Sequence, residues 1–385
     1  MLRRDFLQIL GCVPLICTVP DLAIAAAVDS QYRNLLILIE FKGGNDGLNM
    51  VIPYADDNYY TLRPRIGIPR DQVVQLDERT GLHPALQPML PLWQAGEVAI
   101  VQGVGYPDPN LSHFRAIEIW DTASASNEYL DQGWLSRTFA QYPPPAGFAA
   151  DGVSIGSADL GPLAGSARAI VLSNADQFTR QSKLADDAHA QAGNAALAHI
   201  LKVENDIQHA ASRLDGRYAF KTEFPKTAFG NAIYTAAEVI ANQSGVAVVR
   251  ISMNGFDTHT NQQPTQARLL QEFADGVVAF KAALLELNRW DSSMLMTYSE
   301  FGRRPQDNAG NGTDHGTAAP HFVIGGRVNG GLYGKPPALH QLENGNLTYS
   351  VDFRNLYSTI HEKWWRLPAN DIAGRRFNSL NIVRT

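Results

Sequence analysis

Short, nearly continuous apolar runs punctuate the chain at Leu35–Phe41, Val98–Val104, Val246–Met253, Met294–Tyr298 and Phe322–Ile324. Runs of this length without polar alternation predict strands buried on both faces. Between them, apolar residues recur at helical spacing over Pro84–Ala95, His113–Trp120, Lys183–Leu214, Ala228–Asn242, Gln266–Leu287 and Asp352–Trp365, the pattern of helices with one face turned inward. Strand and helix alternate. That order predicts an α/β fold, a doubly wound, mostly parallel sheet with helices on both faces. Strand signals weaken between about residues 121 and 226, which predicts a helical insertion or cap near the middle of the chain.

The opening residues follow a different logic. Arg3 and Arg4 precede an apolar run from Phe6 to Val19, and Ala23, Ile24 and Ala25 supply a cleavage-like stretch, the layout of an export signal. The order Arg3, Arg4, Asp5, Phe6, Leu7, Gln8 resembles the twin-arginine signal, whose export machinery carries folded proteins and would be a partner. The expected division is therefore a signal over residues 1–27 and a single domain over residues 28–385, periplasmic or secreted. An anchor needs about 20 uninterrupted apolar residues, and Pro14, Pro20 and Asp21 break this run, so no stable membrane span is expected in the mature form.

Composition narrows the chemistry. Both cysteines, Cys12 and Cys17, lie within the signal, so the mature chain is expected to lack disulfides, thiolate catalysis and cysteine metal sites. Hydrophobic residues make up 45% and charged residues 18% of the chain, enough apolar material for a large core. A net charge of −6 argues against a phosphate-backbone binder, so nucleic acid is not an expected partner.

Polar, glycine-containing loops follow the predicted strands: Gly43 to Gly47, Asn254 to Asp257 and Ser299 to Gly302. The carboxyl edge of an open α/β sheet is where ligands bind, so these loops are expected to converge. With the later Thr313–Gly316 segment they carry Asp46, Asp257, His259, Glu300, Asp314 and His315. Gathered carboxylates repel one another unless a cation neutralises them. Mixed oxygen and imidazole donors suit one or two divalent ions, and zinc, manganese, magnesium and calcium all remain open. Plainer readings are turn chemistry for Asp46 and polar loop residues for Asp257 and His259, while Asp314 and His315 suit a direct ligand and its supporting partner.

A nucleophile candidate is Ser112 at the predicted start of a helix, with His113 beside it and Arg115 one turn on to grip an oxyanion. The alternative is an N-cap serine with a surface arginine. Asn45 is a second oxyanion donor on the same terms. Arg303 and Arg304 either neutralise the site or pair with carboxylates elsewhere. His83, His321, His361, Trp364 and Trp365 have apolar neighbours and read as core.

Taken in order, Phe41-Lys-Gly-Gly-Asn-Asp-Gly-Leu-Asn49, Ser112-His-Phe-Arg115, Gly255-Phe-Asp-Thr-His259, Ser299-Glu-Phe-Gly-Arg303 and Thr313-Asp-His-Gly316 resemble the domain-of-unknown-function family DUF1501. That family is similar to the alkaline phosphatase and sulfatase superfamily. The resemblance implies a sheet of the kind predicted and metal-assisted chemistry on phosphate or sulfate groups. It also implies that Asp46 is the first metal aspartate, Ser112 the nucleophile, Asp257 and His259 ligands of a second metal, and His315 the late histidine. Glu300 and Phe301 stand where the superfamily has aspartate and histidine, and Asp314 is placed to restore the missing ligand. The expected function is an exported metal-dependent hydrolase of small-molecule or polymer esters. Rival readings are a non-catalytic exported binding protein holding metal and a phosphotransferase or mutase sharing the site.

Overall fold

The computed structural model describes residues 32–166, 168–172, 218–242, 245–368, 372 and 374–384. The signal at residues 1–27 and the alanine-rich stretch from Lys183 to Leu214 lie outside the described residues. In chain order the strands are β1 (Leu35–Lys42), β2 (Val51–Ile52), β3 (Val74–Gln75), β4 (Gly81–Leu82), β5 (Val98–Gly105), β6 (Ala150–Ile155), β7 (Ala169–Leu172) and β8 (Val246–Asn254), then β9 (Ser293–Tyr298), β10 (Arg303–Asp307), β11 (Thr313–His315), β12 (Ala319–Ile324), β13 (Gly331–Gly334) and β14 (Val351–Asp352).

Among the described residues nine strands form one sheet in the order β13-β5-β12-β9-β1-β8-β6-β7, with β14 also on β5. Every pairing is parallel except those of β12, which runs antiparallel between β5 and β9. The fold is thus the predicted doubly wound α/β class. In the central strand β1 the side chains divide by the two-residue strand period. Leu35, Ile37, Ile39 and Phe41 enter one core, while Leu36 and Leu38 enter the other. Burial on both faces explains why the strand reads as an unbroken apolar run.

The first core is roofed by the helices Ala228–Ala241 and Gln262–Glu286, the second by His113–Thr122, Trp134–Gln141 and Phe353–Thr359. Leu270, Phe273, Val277, Phe280 and Leu284 form the inward stripe of the 25-residue helix, at the three- and four-residue spacing that keeps one face down. Phe273 meets Phe41 edge-on with ring centroids 4.9 Å apart and stacks on Phe322 at 6.0 Å. Trp364 and Trp365 are buried, and their indole N–H groups donate to the carbonyls of Leu35 at 3.1 Å and Asn34 at 2.8 Å.

The segment expected to be a helical insertion contributes β6 and β7 to the main sheet. Their signal is weak because β6 buries polar residues. Ser154 accepts from Arg250 at 2.9 Å, and Asp151 accepts from the Ser166 hydroxyl at 2.9 Å. Arg250 sits on the same face as Glu40, bound to it at 2.7 Å with both side chains fully enclosed. Among the described residues, no helix is long and apolar enough to cross a membrane.

Candidate metal centre

Four chain segments reach the carboxyl edge of β1, β5, β8 and β9, and two glycines let them meet. Gly43 (φ +121°) and Gly44 (φ +75°) occupy backbone conformations that disfavour a side chain. A Cβ on Gly43 would lie 2.3 Å from the Asp257 amide nitrogen, and one on Gly44 would lie 2.4 Å from the Phe301 ring. The loop after β1 therefore packs directly against the loops after β8 and β9.

Glu300, 2% exposed, is the anchor. Its carboxylate accepts the Gly43 N–H at 2.9 and 3.2 Å and meets His113 Nδ1 at 2.8 Å. Because that oxygen is an acceptor, the hydrogen is assigned to Nδ1, and the neutral ring presents a lone pair at Nε2. His113 Nε2 is shielded from solvent, has no hydrogen-bond partner among the described residues, and lies 3.5 Å from Asp257 Oδ2. The Glu300 hydrogen bond holds the His113 pKa above its ordinary value against the opposing effect of burial.

His315 has the same arrangement. Its Nδ1 lies 2.9 Å from the Leu111 carbonyl, which can only accept, so Nε2 again carries the lone pair. That nitrogen lies 3.5 Å from Asp257 Oδ1 and 2.9 Å from His259 Nε2. Burial, joined by the nearby Arg303, His113 and His259 charges, lowers the His315 pKa, so the ring favours its neutral, ligating form. Phe301 lies beside both imidazoles, its centroid 4.8 Å from His113 and 4.5 Å from His315.

One ligand atom each from His113, Asp257 and His315 fall within 4.8 Å of one another. Nitrogens and oxygens about 2.0–2.1 Å from a zinc ion lie about 3.3 Å apart in a tetrahedron, so the three donors would have to draw together by up to about 1.5 Å to hold one, with a fourth position left open. The fit also rests on the converging lone pairs. His259 Nε2 lies 3.1 Å from Asp257 Oδ1 and 2.9 Å from His315 Nε2, at the edge of this group.

Arg303 competes for the same carboxylate. Its guanidinium, 2% exposed, donates to the carbonyls of Gly44 (2.7 Å), Thr313 (2.8 Å), Phe256 (3.3 Å) and Gly43, and to Asp257 Oδ1 at 2.6 Å. Burial pushes the Asp257 pKa up, but the Arg303 hydrogen bond and charge, with His113 and His259, hold it below its usual value. Asp257 is therefore ionised and partly neutralised already.

Asp314 joins only at the margin. It accepts from Asn308 at 3.1 Å and lies 3.6 Å from His259 Nδ1. The expectation for Asp46 is corrected: the structure does not bring it into this group. Its carboxylate, 1% exposed, is held by a bidentate contact with Arg63 at 2.5 and 2.9 Å and by the Gln262 amide, and it caps Leu48 N–H at 3.1 Å. Both Asp46 oxygens are thus engaged by protein donors.

Two catalytic expectations are corrected in the same way. Arg115 points away from the site, donating to the carbonyls of Ala125 (3.1 Å), Ser126 (3.2 Å) and Glu128, while pairing with Glu118 at 2.8 Å. The Asn45 side chain is buried between Gln266, which donates to it at 3.1 Å, and Met50. Ser112 occupies the N-cap of the helix His113–Thr122, but its side chain makes no capping bond and is exposed. Arg63 and Gln262 were missed because nothing near them in sequence marks a partner 17 or 216 positions away.

Residues 98–365, well over half of the chain, match the sequence profile described as a protein of unknown function, DUF1501. The chain belongs to the DUF1501 family. No curated protein matches this DUF1501 chain. Among solved structures it is similar to the C-terminal periplasmic domain of EcEptC from Escherichia coli in complex with zinc, at 11% identity over 76% of this chain and 72% of that one, with a TM-score of 0.37. It is similar to the PsFucS1 sulfatase from Pseudoalteromonas sp. at 9% identity, covering 94% and 75% of the two chains, with a TM-score of 0.42. It is also similar to alkaline phosphatase from the Antarctic bacterium TAB5 at 11% identity, covering 78% and 94%, with a TM-score of 0.34. Similarities this distant assign neither a substrate nor a site residue.

Proposed function

We propose that this DUF1501 chain is an exported, metal-dependent hydrolase of phosphate or sulfate esters. The observation that carries the reading is the convergence of His113, Asp257 and His315, with both imidazoles fixed at Nδ1 and their Nε2 lone pairs facing one carboxylate. A divalent ion bound by these three would act as a Lewis acid toward an ester oxygen. Glu300 orients His113 by accepting its Nδ1 hydrogen, the outer support that ligating histidines ordinarily have.

Ser112 is the attacking group in this reading, since its uncapped hydroxyl sits next to His113. His259, partly exposed and held between Asp257 and Asp314, transfers the proton between nucleophile and leaving group. Arg303 holds the loops in register and keeps Asp257 ionised. The twin-arginine-like start at Arg3 and Arg4 supports export, and on this reading replacing both with lysine leaves the precursor in the cytoplasm.

The test uses purified protein with nitrophenyl phosphate and sulfate. Turnover is expected to vanish with chelator, to return with zinc or manganese, and to be lost in Asp257→Asn and His315→Ala variants that still fold. Turnover that ignores chelator or survives both substitutions would remove the metal from the reaction. The placement of Arg115 favours a second reading, a metal-holding binding protein, because it leaves no exposed arginine from the predicted set to grip an oxyanion. Metal-dependent thermal stability with no turnover across an ester panel would select it.

A further inference from the structure

A cavity of about 340 Å³ lies at the carboxyl edge of β5, within the roughly 300–1,000 Å³ of small-molecule sites. The short helix Gly47–Met50, the end of β5, the start of β12 and the segment after β13 enclose it. Leu48, Val51, Ala319, Pro320, Pro336 and Pro337 supply apolar wall. None of His113, Asp257, His259 and His315 lines it. Arg303 borders it, but the guanidinium side chain is fully enclosed and bound to Asp257, so the cavity is separate from the metal centre.

Gln102 is the polar group of the interior. It is 5% exposed, and its side-chain amide has no hydrogen-bond partner among the described residues. Neither amide atom is sealed from solvent, so both can meet a ligand. An amide donates and accepts, and leaving one this deep without partners is costly. The group that matches it offers an acceptor and a donor together, as a second amide does.

Lys335 stands at the mouth. It is exposed, no carboxylate pairs with it among the described residues, and no aspartate, glutamate or histidine lines the cavity. Gln102, Pro336 and Pro337 also border a second cavity, whose lining carries Asp56, Asp57 and Asp77 against the single arginine Arg79. An anionic group is therefore drawn to the Lys335 side. Lys335 follows Gly334, which pairs with Gln102 across β13 and β5, where neighbouring strands run roughly 4.8 Å apart. One residue of extended peptide covers about 3.3 Å, so the last amide of a chain and its terminal carboxylate can reach both side chains.

We propose that this cavity binds an N-acylated amino acid with an apolar side chain and a free carboxylate, the chemistry shared by a peptide's C-terminal residue and a free acyl amino acid. Gln102 exchanges hydrogen bonds with the amide, Lys335 holds the carboxylate, and the prolines with Leu48 and Val51 cover the side chain. The site goes beyond the hydrolase reading and does not depend on it.

The experiment is calorimetric titration of the full chain with N-acetyl-leucine, with an acetylated tripeptide ending in leucine as free acid and as C-terminal amide, and with hexanoate as an acid without an amide. At least one of the two acylated free acids is expected to bind saturably, and which of them binds more tightly identifies the source. Removing the charged contact or the amide, in the amidated peptide, in hexanoate, in Lys335→Ala and in Gln102→Leu, is expected to weaken binding roughly tenfold or more. Gln102 is buried, so the melting temperature of Gln102→Leu is measured alongside. Lys335→Ala, at an exposed position, keeps the proposal falsifiable if that variant does not fold. Asp257→Asn leaves binding unchanged, which separates this site from the metal centre. No binding of either acylated free acid, equal binding of the amidated peptide or of hexanoate, or binding unchanged in Lys335→Ala or in a folded Gln102→Leu would overturn the proposal.

Discussion

Substituting Arg303→Gln removes a guanidinium enclosed among the loops after β1, β8 and β9. It donates to four backbone carbonyls and to Asp257. Stranding a buried acceptor costs roughly 1–3 kcal/mol, and the glutamine amide would satisfy one or two of the four. Asp257 is about half exposed, so losing its ion pair adds less than about 1 kcal/mol after solvent screening. The sum is about 4 kcal/mol. Unfolding entropy near 2.1 cal/mol/K per residue gives about 0.8 kcal/mol/K for this chain, so the melting temperature should fall by about 5 °C. The assay is differential scanning calorimetry with chelator and again with zinc. Without the guanidinium, Asp257 presents its whole charge to a cation, so zinc should raise the melting temperature more in the variant than in the wild type. An unchanged melting temperature in chelator, or weaker protection by zinc in the variant, would refute the reasoning.

Three further outcomes follow from the same contacts. Arg63→Met strands the enclosed Asp46 carboxylate and is expected to cost about 3–5 kcal/mol in urea unfolding while leaving metal stoichiometry unchanged. Gly44→Ala forces a Cβ into the Phe301 ring in a left-handed backbone and should weaken metal binding, measured by competition with a chromogenic chelator. Burial lowers the pKa of His83 and of His361 to about 4 and that of His321 to about 3. The fold thus favours their neutral forms, a stabilisation complete above about pH 6.5 and lost as pH falls through 4 and then 3. Glu40 and Asp121, raised by burial, oppose this trend. The comparison is therefore His321→Gln against wild type, with the slope of stability between pH 6 and 4 smaller by about 1.4 kcal/mol per unit in the variant. Identical slopes would count against it.

The sheet was legible in the sequence because strands covered on both faces leave unbroken apolar runs, and β1, β5, β8 and β9 all read that way. β6 and β7 were not, since β6 buries Asp151 and Ser154 against partners from other segments. The antiparallel run of β12 left no local trace, because strand direction is set by what it pairs with. At the site, loop position at strand ends was enough to bring forward Asp257, Glu300 and His315. It did not separate those that face one another from Asp46, whose fate depends on Arg63 and Gln262 arriving from elsewhere. Arg115 and Asn45 show the same limit. Their residue types suit an oxyanion, but side-chain direction is a tertiary property.

The account depends on the three donors His113, Asp257 and His315 holding one divalent ion. Protein purified without chelator and analysed for metals by plasma mass spectrometry tests this directly, alongside a His113→Ala and His315→Ala double variant. The expected result is one equivalent of a divalent ion in the wild type and none in the variant at equal folding. A metal-free wild type that stays metal-free after incubation with zinc or manganese, or a variant that keeps its full equivalent, would contradict it.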